Sequence, residues 1–237
     1  MKFRQIAANL LIFISLFFLS PLPMMAHEVE TEEIPDSAYI EKVLFIGDSM
    51  TGWFAMRLQA YGELNGFEVA AVYQDGATVQ KWAGIDRLDK TLEEFDADLV
   101  IMSLGGNNLF ETNPEKRLGE HVDRILEKIG DREYIWFGPI HWPYKKGGEI
   151  VVEWLKNRIG EDRYFDTFNL EIERQGKTNM HPTMKGSRIL IDHFVDWLRL
   201  HPSFRFRSLE TPAPDAMKKG PLFIYKRLKE TLLSKNN

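Results

Sequence analysis

The chain has 237 residues, of which 44% are hydrophobic and 12% aromatic. That is enough for one substantial core and too little for two full-sized domains with linkers. The formal net charge of -5 at pH 7 argues against general nucleic-acid binding, which favours a basic surface. The lack of cysteine excludes disulfides, thiolate metal sites and a cysteine nucleophile.

The first 26 residues have the three parts of a secretory signal peptide. Lys2 and Arg4 precede an apolar run over residues 10–19, and the small residue Ala26 ends the segment. The pattern predicts cleavage after Ala26 and export to the periplasm or the medium; an uncleaved membrane anchor is the alternative. Residues 27–41 are rich in acidic side chains and are predicted to form a solvated linker.

From residue 42 onward, short apolar runs alternate with segments of helical spacing. This alternation predicts an α/β fold with a parallel sheet of about five strands, because each crossover lays its helix on a face of the sheet. One domain is expected over residues 42–200. Strands are predicted at residues 43–46, 67–73, 99–104, 134–137 and 164–168, and helices at 51–64, 79–95, 114–129, 150–159 and 183–200.

The tail over residues 201–237 departs from this alternation, with several prolines and an excess of basic side chains. Apolar spacing over residues 222–233 predicts a short helix that packs back on the domain. A contact of this basic segment with a membrane surface is the alternative.

Ligands of such folds bind at the carboxyl ends of the strands, and Ser49 follows the first strand in the block Gly47-Asp48-Ser49. Its hydroxyl is expected at that edge of the sheet, with its backbone amide at a helix N-terminus that would stabilise an anion. A nucleophilic serine also needs a base and oxyanion donors. Capping of the helix by Ser49 is the alternative.

Five further residues follow predicted strands or precede the last helix. Gly76 follows the second strand, Asn107 lies in a Gly-Gly-Asn-Asn turn after the third, and His181 lies just before the last helix. Their amides and imidazole suit oxyanion donors and a base, although each residue alone could serve only a turn or loop. His141 and Trp142 follow the fourth strand and are predicted to form a wall of the substrate site or a proline-stiffened loop.

In this chain order, the serine, glycine, asparagine and histidine blocks resemble the SGNH (GDSL-like) hydrolase family over residues 42–200. The resemblance implies a three-layer α/β/α, flavodoxin-like fold and ester hydrolysis or acyl transfer. It implies Ser49 as the nucleophile, His181 as its base, and Gly76 and Asn107 as oxyanion donors. No cofactor and no metal are implied.

Two positions depart from the family pattern. The third block ends in Asn108, where many members have aspartate, and the second departure concerns the base. Members usually carry an aspartate three residues before the histidine, where this chain has Thr178. That aspartate orients the imidazole and stabilises its positive charge. A backbone carbonyl, Thr178 itself or a carboxylate such as Glu173 could orient His181 instead.

The function predicted from these features is an exported serine esterase that deacetylates a cell-wall or extracellular carbohydrate through an acyl-Ser49 intermediate. A carbohydrate O-acetyltransferase with the same residues is one alternative. A non-catalytic, polysaccharide-binding descendant of the fold is another. The expected partner is thus an acylated carbohydrate or another small ester, not nucleic acid, with membrane contact only through the signal segment; the oligomeric state stays open.

Overall fold

A computed structural model describes residue 35 and residues 38–176 and 180–226. These residues belong to one compact unit that begins at Pro35. The predicted signal peptide, most of the predicted linker over residues 27–41, and Thr178 lie outside the described residues. Ile40 is already buried, and its backbone N–H donates to the carbonyl of Arg205 at 2.7 Å. The packed part of the chain therefore starts before the predicted boundary at residue 42.

The core is a parallel sheet with the strand order β5-β4-β3-β1-β2-β6. Every strand pair is parallel, which confirms the predicted α/β class. The strand that precedes Ser49 lies in the middle of the sheet, between the second and third strands. The strands are β1 (Lys42–Gly47), β2 (Glu68–Gln74), β3 (Leu99–Ser103), β4 (Glu133–Phe137), β5 (Tyr164–Phe165) and β6 (Phe223–Lys226).

Helices cover both faces of the sheet. Successive side chains of a strand point to opposite faces, so Leu44 and Ile46 of β1 pack against α2 to α5, whereas Val43 and Phe45 pack against α1 and α6. No helix in the described ranges has both the length and the apolar character needed to cross a bilayer. The helices are α1 (Thr51–Asn65), α2 (Val79–Ala83), α3 (Arg87–Phe95), α4 (Pro114–Ile129), α5 (Glu149–Ile159) and α6 (Met184–Arg199).

The helix predicted over residues 79–95 is two helices in the structure. Gly84 ends α2 and donates its backbone N–H to the carbonyls of Gln80 and Lys81, and α3 begins after Asp86. Glycine is a poor residue for a helix interior, while the apolar spacing continues across the break through Trp82 and Leu88. The helical periodicity of the apolar residues therefore does not indicate the break between α2 and α3.

The structure differs from two predictions in the tail. The sheet has six strands instead of about five, and a strand forms within the segment over residues 222–233 that was predicted to be helical. Phe223–Lys226 forms β6, a sixth strand that pairs with the outer edge of β2, and residues 227–233 lie outside the described part. Leu222 and Ile224 pack on one face of the sheet and Phe223 on the other. The segment forms a strand and not a helix for two reasons. Its residues favour β structure, and the edge of β2 offers unpaired backbone groups.

Residues between α6 and β6 cross the outer surface of α1 and are held there by Arg57. This guanidinium is fully buried, forms an ion pair with Asp192 at 2.8 Å, and donates to the carbonyls of Ala213 and Ala216. A buried charge needs such a complete set of partners. The folded unit therefore extends past the predicted boundary at residue 200.

Candidate active site

Ser49 and His181, 132 residues apart in the sequence, meet at the carboxyl edge of the sheet. The Oγ of Ser49 lies 2.8 Å from Nε2 of His181. Ser49 stands between β1 and α1, and His181 stands in the loop between β5 and α6. The structure thus brings the predicted nucleophile and base into hydrogen-bond contact, with the geometry needed for the hydroxyl to pass its proton to the imidazole.

The turn that carries Ser49 is fixed by contacts to Gly47. The indole N–H of Trp82 donates to the Gly47 carbonyl at 3.2 Å. A Cβ on Gly47 would lie 2.2 Å from Oγ1 of Thr51 and 2.5 Å from the carbonyl oxygen of Ser103. Only glycine fits there, because the strands at the centre of the sheet approach each other too closely for a side chain.

Asn107 links the second and third turns to the serine block. Its amide nitrogen donates to Oδ2 of Asp48 at 3.1 Å and to the Ala77 carbonyl at 2.9 Å. Gly76, beside Ala77, has the left-handed φ of 62° that favours glycine. The turn of Gly76, the Asn107 amide and the residue before Ser49 therefore form one hydrogen-bonded group.

The amides of Ser49, Gly76 and Asn107 are placed to form an oxyanion hole, provided that Asn107 gives up one of its present hydrogen bonds. An asparagine amide has two N–H groups, and both are directed at protein acceptors, so Asn107 must exchange one of them to donate to an oxyanion. No acceptor is hydrogen-bonded to the backbone N–H of Ser49 or of Gly76 within the described part of the chain. These two amides are ready to donate, and the Ser49 amide is at the amino end of α1, where the helix dipole favours negative charge.

The carboxyl of Asp48 is the most perturbed acid of this group. It is only 4% exposed, and burial raises its pKa to about 7. The hydrogen bond from the Met50 backbone N–H, at 3.0 Å, opposes this rise, and the charge of Asp75 adds to it. Near neutral pH, the side chain that holds Asn107 thus gains or loses a proton.

His181 is suited to act as a base at neutral pH. Burial lowers the pKa of its imidazole below the ordinary value, and the negative charge of Asp75 opposes part of that shift. The neutral imidazole is the form that accepts a proton. The loop is tied by the Gln175 backbone N–H, which donates to the His181 carbonyl at 3.0 Å, and by Arg174, which donates to the Met180 carbonyl at 2.6 Å.

Of the side chains considered as orienting partners for His181, Glu173 is engaged elsewhere. Its carboxylate accepts a hydrogen bond from Oγ1 of Thr183 at 2.8 Å and pairs with Lys185 at 3.4 Å. These contacts cap the start of α6 and lower the pKa of the Glu173 carboxyl. Thr178, the other candidate, lies outside the described residues.

His141 and Trp142 lie side by side in the chain but differ in their surroundings. Nδ1 of His141 lies 2.9 Å from the Phe168 carbonyl, an acceptor, so this nitrogen donates its proton there. Both side chains line an open groove beyond β4, but Trp142 also lines a small cavity together with Asp48 and Gly106. Trp142 is therefore next to the serine block, whereas His141 faces the outer groove.

A pocket with a volume of about 160 Å³ opens beside Ser49 and His181. Asp75, Tyr225 and Trp53 form part of its wall, and the sequence analysis did not select these residues. Asp75 directly follows β2, so its position at a strand end was the available signal. Tyr225 gave no such signal, because the segment around it was predicted to be helical.

No family model and no curated protein sequence matches the chain. Solved structures do match its fold. The psychrotrophic esterase EstA from a Pseudoalteromonas species aligns over 68% of this chain and 97% of its own, with a TM-score of 0.56 and 19% identity. A putative lipolytic protein of the G-D-S-L family from Desulfitobacterium hafniense aligns over 66% and 98%, with a TM-score of 0.53 and 19% identity.

A carbohydrate esterase of family 3 from Talaromyces cellulolyticus also matches, over 68% of this chain and 97% of its own, with a TM-score of 0.53 and 13% identity. At such identities the likeness concerns the fold. The chain has the three-layer fold of the GDSL-like hydrolases, and the fold implied by the sequence resemblance is confirmed.

Proposed function

We propose that this chain is an exported serine esterase that removes acetyl groups from a cell-wall or extracellular carbohydrate. The observation that carries the proposal is the 2.8 Å contact between Oγ of Ser49 and Nε2 of His181, made at the ligand-binding edge of the sheet. A serine that only caps a helix has no need of a half-buried imidazole on its hydroxyl.

In the acylation step, Oγ of Ser49 attacks the ester carbonyl carbon and its proton passes to Nε2 of His181. The carbonyl π bond opens, and the oxygen becomes an oxyanion. The tetrahedral intermediate then expels the sugar alkoxide, which takes the proton from His181 and leaves as an alcohol. The acetyl group stays on Ser49 as an ester.

The oxyanion is stabilised by the backbone N–H groups of Ser49 and Gly76 and by the amide of Asn107. The Asn107 amide is held by Asp48 and Ala77 in the resting site. We infer that it turns one N–H toward the oxyanion as negative charge develops. The two backbone donors need no such reorganisation, and donors that are fixed before the reaction are effective for that reason.

In the deacylation step, water takes the place of the sugar. His181 accepts a proton from the water as the water oxygen attacks the acetyl carbon. The tetrahedral intermediate then collapses: the bond between the acetyl carbon and Oγ of Ser49 breaks, and Oγ takes the proton from His181. The released acetic acid loses its own proton to solvent. Acetate leaves, and the enzyme regains its starting protonation state. Transfer of the acetyl group to a second sugar hydroxyl would follow the same path with an alcohol in place of water.

The composition of the pocket beside the dyad supports a carbohydrate as the alcohol part of the ester. The aromatic residues Trp53 and Tyr225 and the exposed residue Gln175 line this wall together with Ser49. Aromatic side chains combine a large apolar face with, in tyrosine and tryptophan, a polar handle. That combination fits a sugar ring, which has C–H faces and hydroxyl edges.

The size of the neighbouring apolar cavity supports a short acyl group. This cavity, lined by residues such as Met50, Pro139 and Trp142, has a volume of only about 20 Å³. Asp48 and Met50, the neighbours of Ser49 in the chain, line this cavity, and we infer that it receives the acyl group. Such a space holds about one water-sized group, which suits a methyl and not a longer alkyl chain. The shared fold with a carbohydrate esterase of Talaromyces cellulolyticus agrees with this choice.

Export rests on the pattern of residues 1–26. A mature amino terminus at His27, read by mass spectrometry of protein recovered outside the cytoplasm, is the expected result. Recovery of the protein only with its original terminus in the cytoplasmic fraction would contradict export.

The experiment for the enzymatic proposal measures acetate release from an acetylated mannan and from an aryl acetate, with the aryl octanoate for comparison. We expect the chain to release acetate and to prefer the acetate ester. Ser49→Ala should abolish release, because no other group replaces the nucleophile, whereas the control Ser203→Ala, at an exposed serine, should keep it.

Labelling of Ser49 by a fluorophosphonate supplies a second measurement. If Ser49 is labelled, and the chain transfers the acetyl group to an added sugar without releasing free acetate, the acetyltransferase would be favoured. Binding of the polysaccharide without labelling would favour the non-catalytic alternative. Full hydrolysis by a folded Ser49→Ala variant would refute the assignment of the nucleophile.

A further inference from the structure

The wall of the pocket beside Ser49 and His181 contains a single carboxylate among the residues that the structure describes there, and it belongs to Asp75. Asp75 follows β2 directly, so it stands at the same strand-end edge as Ser49, one strand away. A carboxylate in this position shares a half-enclosed space with the imidazole that must become positively charged during catalysis.

Asp75 is held by the carboxyl-terminal strand. The hydroxyl of Tyr225 donates to Oδ2 of Asp75 at 2.6 Å. Tyr225 pairs in register with Tyr73, and the two rings lie 5.0 Å apart. A Cβ on Gly52 would lie 2.5 Å from the Tyr73 hydroxyl, so this ring packs tightly on the first turn of α1. The pair of Asp75 and Tyr225 is therefore built into the edge of the sheet.

Electrostatics couples Asp75 to His181. Burial lowers the pKa of His181, and Asp75 is the charge that opposes this shift. The remaining titratable or charged groups that the structure describes on the surrounding elements lie in other contacts or are neutral phenols. They are Asp48, which holds Asn107; Glu173, paired with Lys185; Arg174, on the Met180 carbonyl; Arg188 of α6, near Glu173; and the phenols Tyr73 and Tyr225.

We propose that Asp75, fixed by Tyr225, is the positioning residue that stabilises protonated His181, the task that a carboxylate three residues before the histidine would perform. This inference rests on the proposed serine chemistry. When Ser49 attacks, its proton moves to Nε2 of His181, and the negative charge of Asp75 stabilises the resulting imidazolium through space. Asp75 itself takes up no proton. The carboxylate thus comes from the second strand turn instead of the histidine loop.

The test is an NMR titration of the His181 ring in the full chain, with its signal assigned by comparison with His181→Gln. Asp75→Asn removes the charge and keeps the size of the side chain, so the pKa of His181 should fall. Asp75→Ser should act in the same direction, whereas Asp75→Glu should keep most of the wild-type value. Asp131→Asn, at an exposed carboxylate before β4 on the opposite edge of the sheet, should change nothing.

Aryl acetate hydrolysis gives the second readout. In Asp75→Asn the acid limb of the kcat profile should move to lower pH, and kcat should fall about 3- to 10-fold, because a weaker base accepts the proton from Ser49 less readily. A residue with only a structural role would lower kcat without moving the limb. Asp48 titrates in the same range, and its pKa also responds to the charge of Asp75. The NMR titration follows the His181 ring alone and therefore assigns the shift to His181.

An unchanged pKa of His181 in both Asp75→Asn and Asp75→Ser would overturn the proposal, and so would a fall in Asp75→Glu as large as in Asp75→Asn. The titration needs no substrate. It therefore tests the role of Asp75 separately from the proposed carbohydrate esterase activity, which the acetate-release assay tests.

Discussion

The two halves of the candidate site are held in different ways. The serine half lies at the centre of the sheet, where β1 is buried between β2 and β3 and the Gly47 carbonyl is bonded to Trp82. The histidine half is a surface loop between β5 and α6. Its described residues are tied by hydrogen bonds from Arg174 and Gln175 to nearby carbonyls, and Met180 packs against the edge of the core. The nucleophile stands at the end of a buried central strand, whereas the base stands on a loop held by hydrogen bonds and by a few side chains at the edge of the core.

This difference predicts which half of the site tolerates amino-acid substitution. Packing in a sheet interior leaves no room for an added atom, so the serine half should respond strongly to small substitutions. Loops contribute less to stability and tolerate change better than the elements that they connect. The histidine half should accept comparable substitutions with little effect on stability. Three predictions test this contrast, from the largest expected effect to the smallest.

The largest effect concerns the chemistry of the serine half. Asn107→Ala should lower turnover about 100-fold or more, because it removes an oxyanion donor. The measurement is kcat for an aryl acetate, with KM recorded separately. Asn157→Ala, at an exposed position on α5, is the matched control and should keep wild-type turnover. If Asn107→Ala turned over as fast as this control, Asn107 would be only a turn residue.

The second effect concerns the charge buried in the serine half. Asp48 has a pKa of about 7 in the folded chain and an ordinary value near 4 when unfolded. Its raised pKa makes the protonated carboxyl favour the fold, and this contribution is lost as pH rises toward and through 7. From pH 5 to pH 8 it should fall by about 2 to 3 kcal/mol.

Urea unfolding at both pH values measures this loss, and Asp48→Asn should lack it, because an amide does not titrate. The difference between the two pH slopes isolates Asp48 from the other groups. Equal slopes in wild type and variant would show that Asp48 has an ordinary pKa in the folded chain.

The smallest effect compares one glycine from each half. Gly47→Ala should lower the free energy of unfolding by about 1 to 3 kcal/mol, because its Cβ would lie 2.5 Å from the Ser103 carbonyl oxygen. Gly176→Ala, in the histidine loop, should change it by less than about 0.5 kcal/mol, since no heavy atom of the described residues lies within 4 Å of that Cβ. Similar losses in urea unfolding for both variants would refute the contrast.

Local patterns in the sequence were sufficient to predict the serine half. The apolar run before Gly47 is a strand, the residues after Ser49 are a helix, and the turn between them needs only neighbouring residues to form. The positions of Gly76 and Asn107 after the next two strands followed from the same rule. The fold class could be predicted because the carboxyl ends of parallel strands all lie at one edge of the sheet, so that the residues after the strands meet there.

Other features had no local signal. Ile224 and its apolar neighbours fit a helix or a strand equally well, since a short apolar run is ambiguous by periodicity. The free edge of β2, about 150 residues earlier in the chain, decides for a strand. The same pairing brings Tyr225 to Asp75, so that contact could not be inferred before the position of β6 was known.

The sequence by itself determined the fold class, the positions of the first five strands along the chain and the residues that follow them, because these depend on composition and on spacing along the chain. Only the tertiary structure decided which side chains share one space: Ser49 with His181, Asn107 with Asp48, and Asp75 with Tyr225. Such contacts join segments far apart in the chain, and their distances depend on how helices and strands pack. The raised pKa of Asp48 has the same origin, because burial is a property of the assembled core.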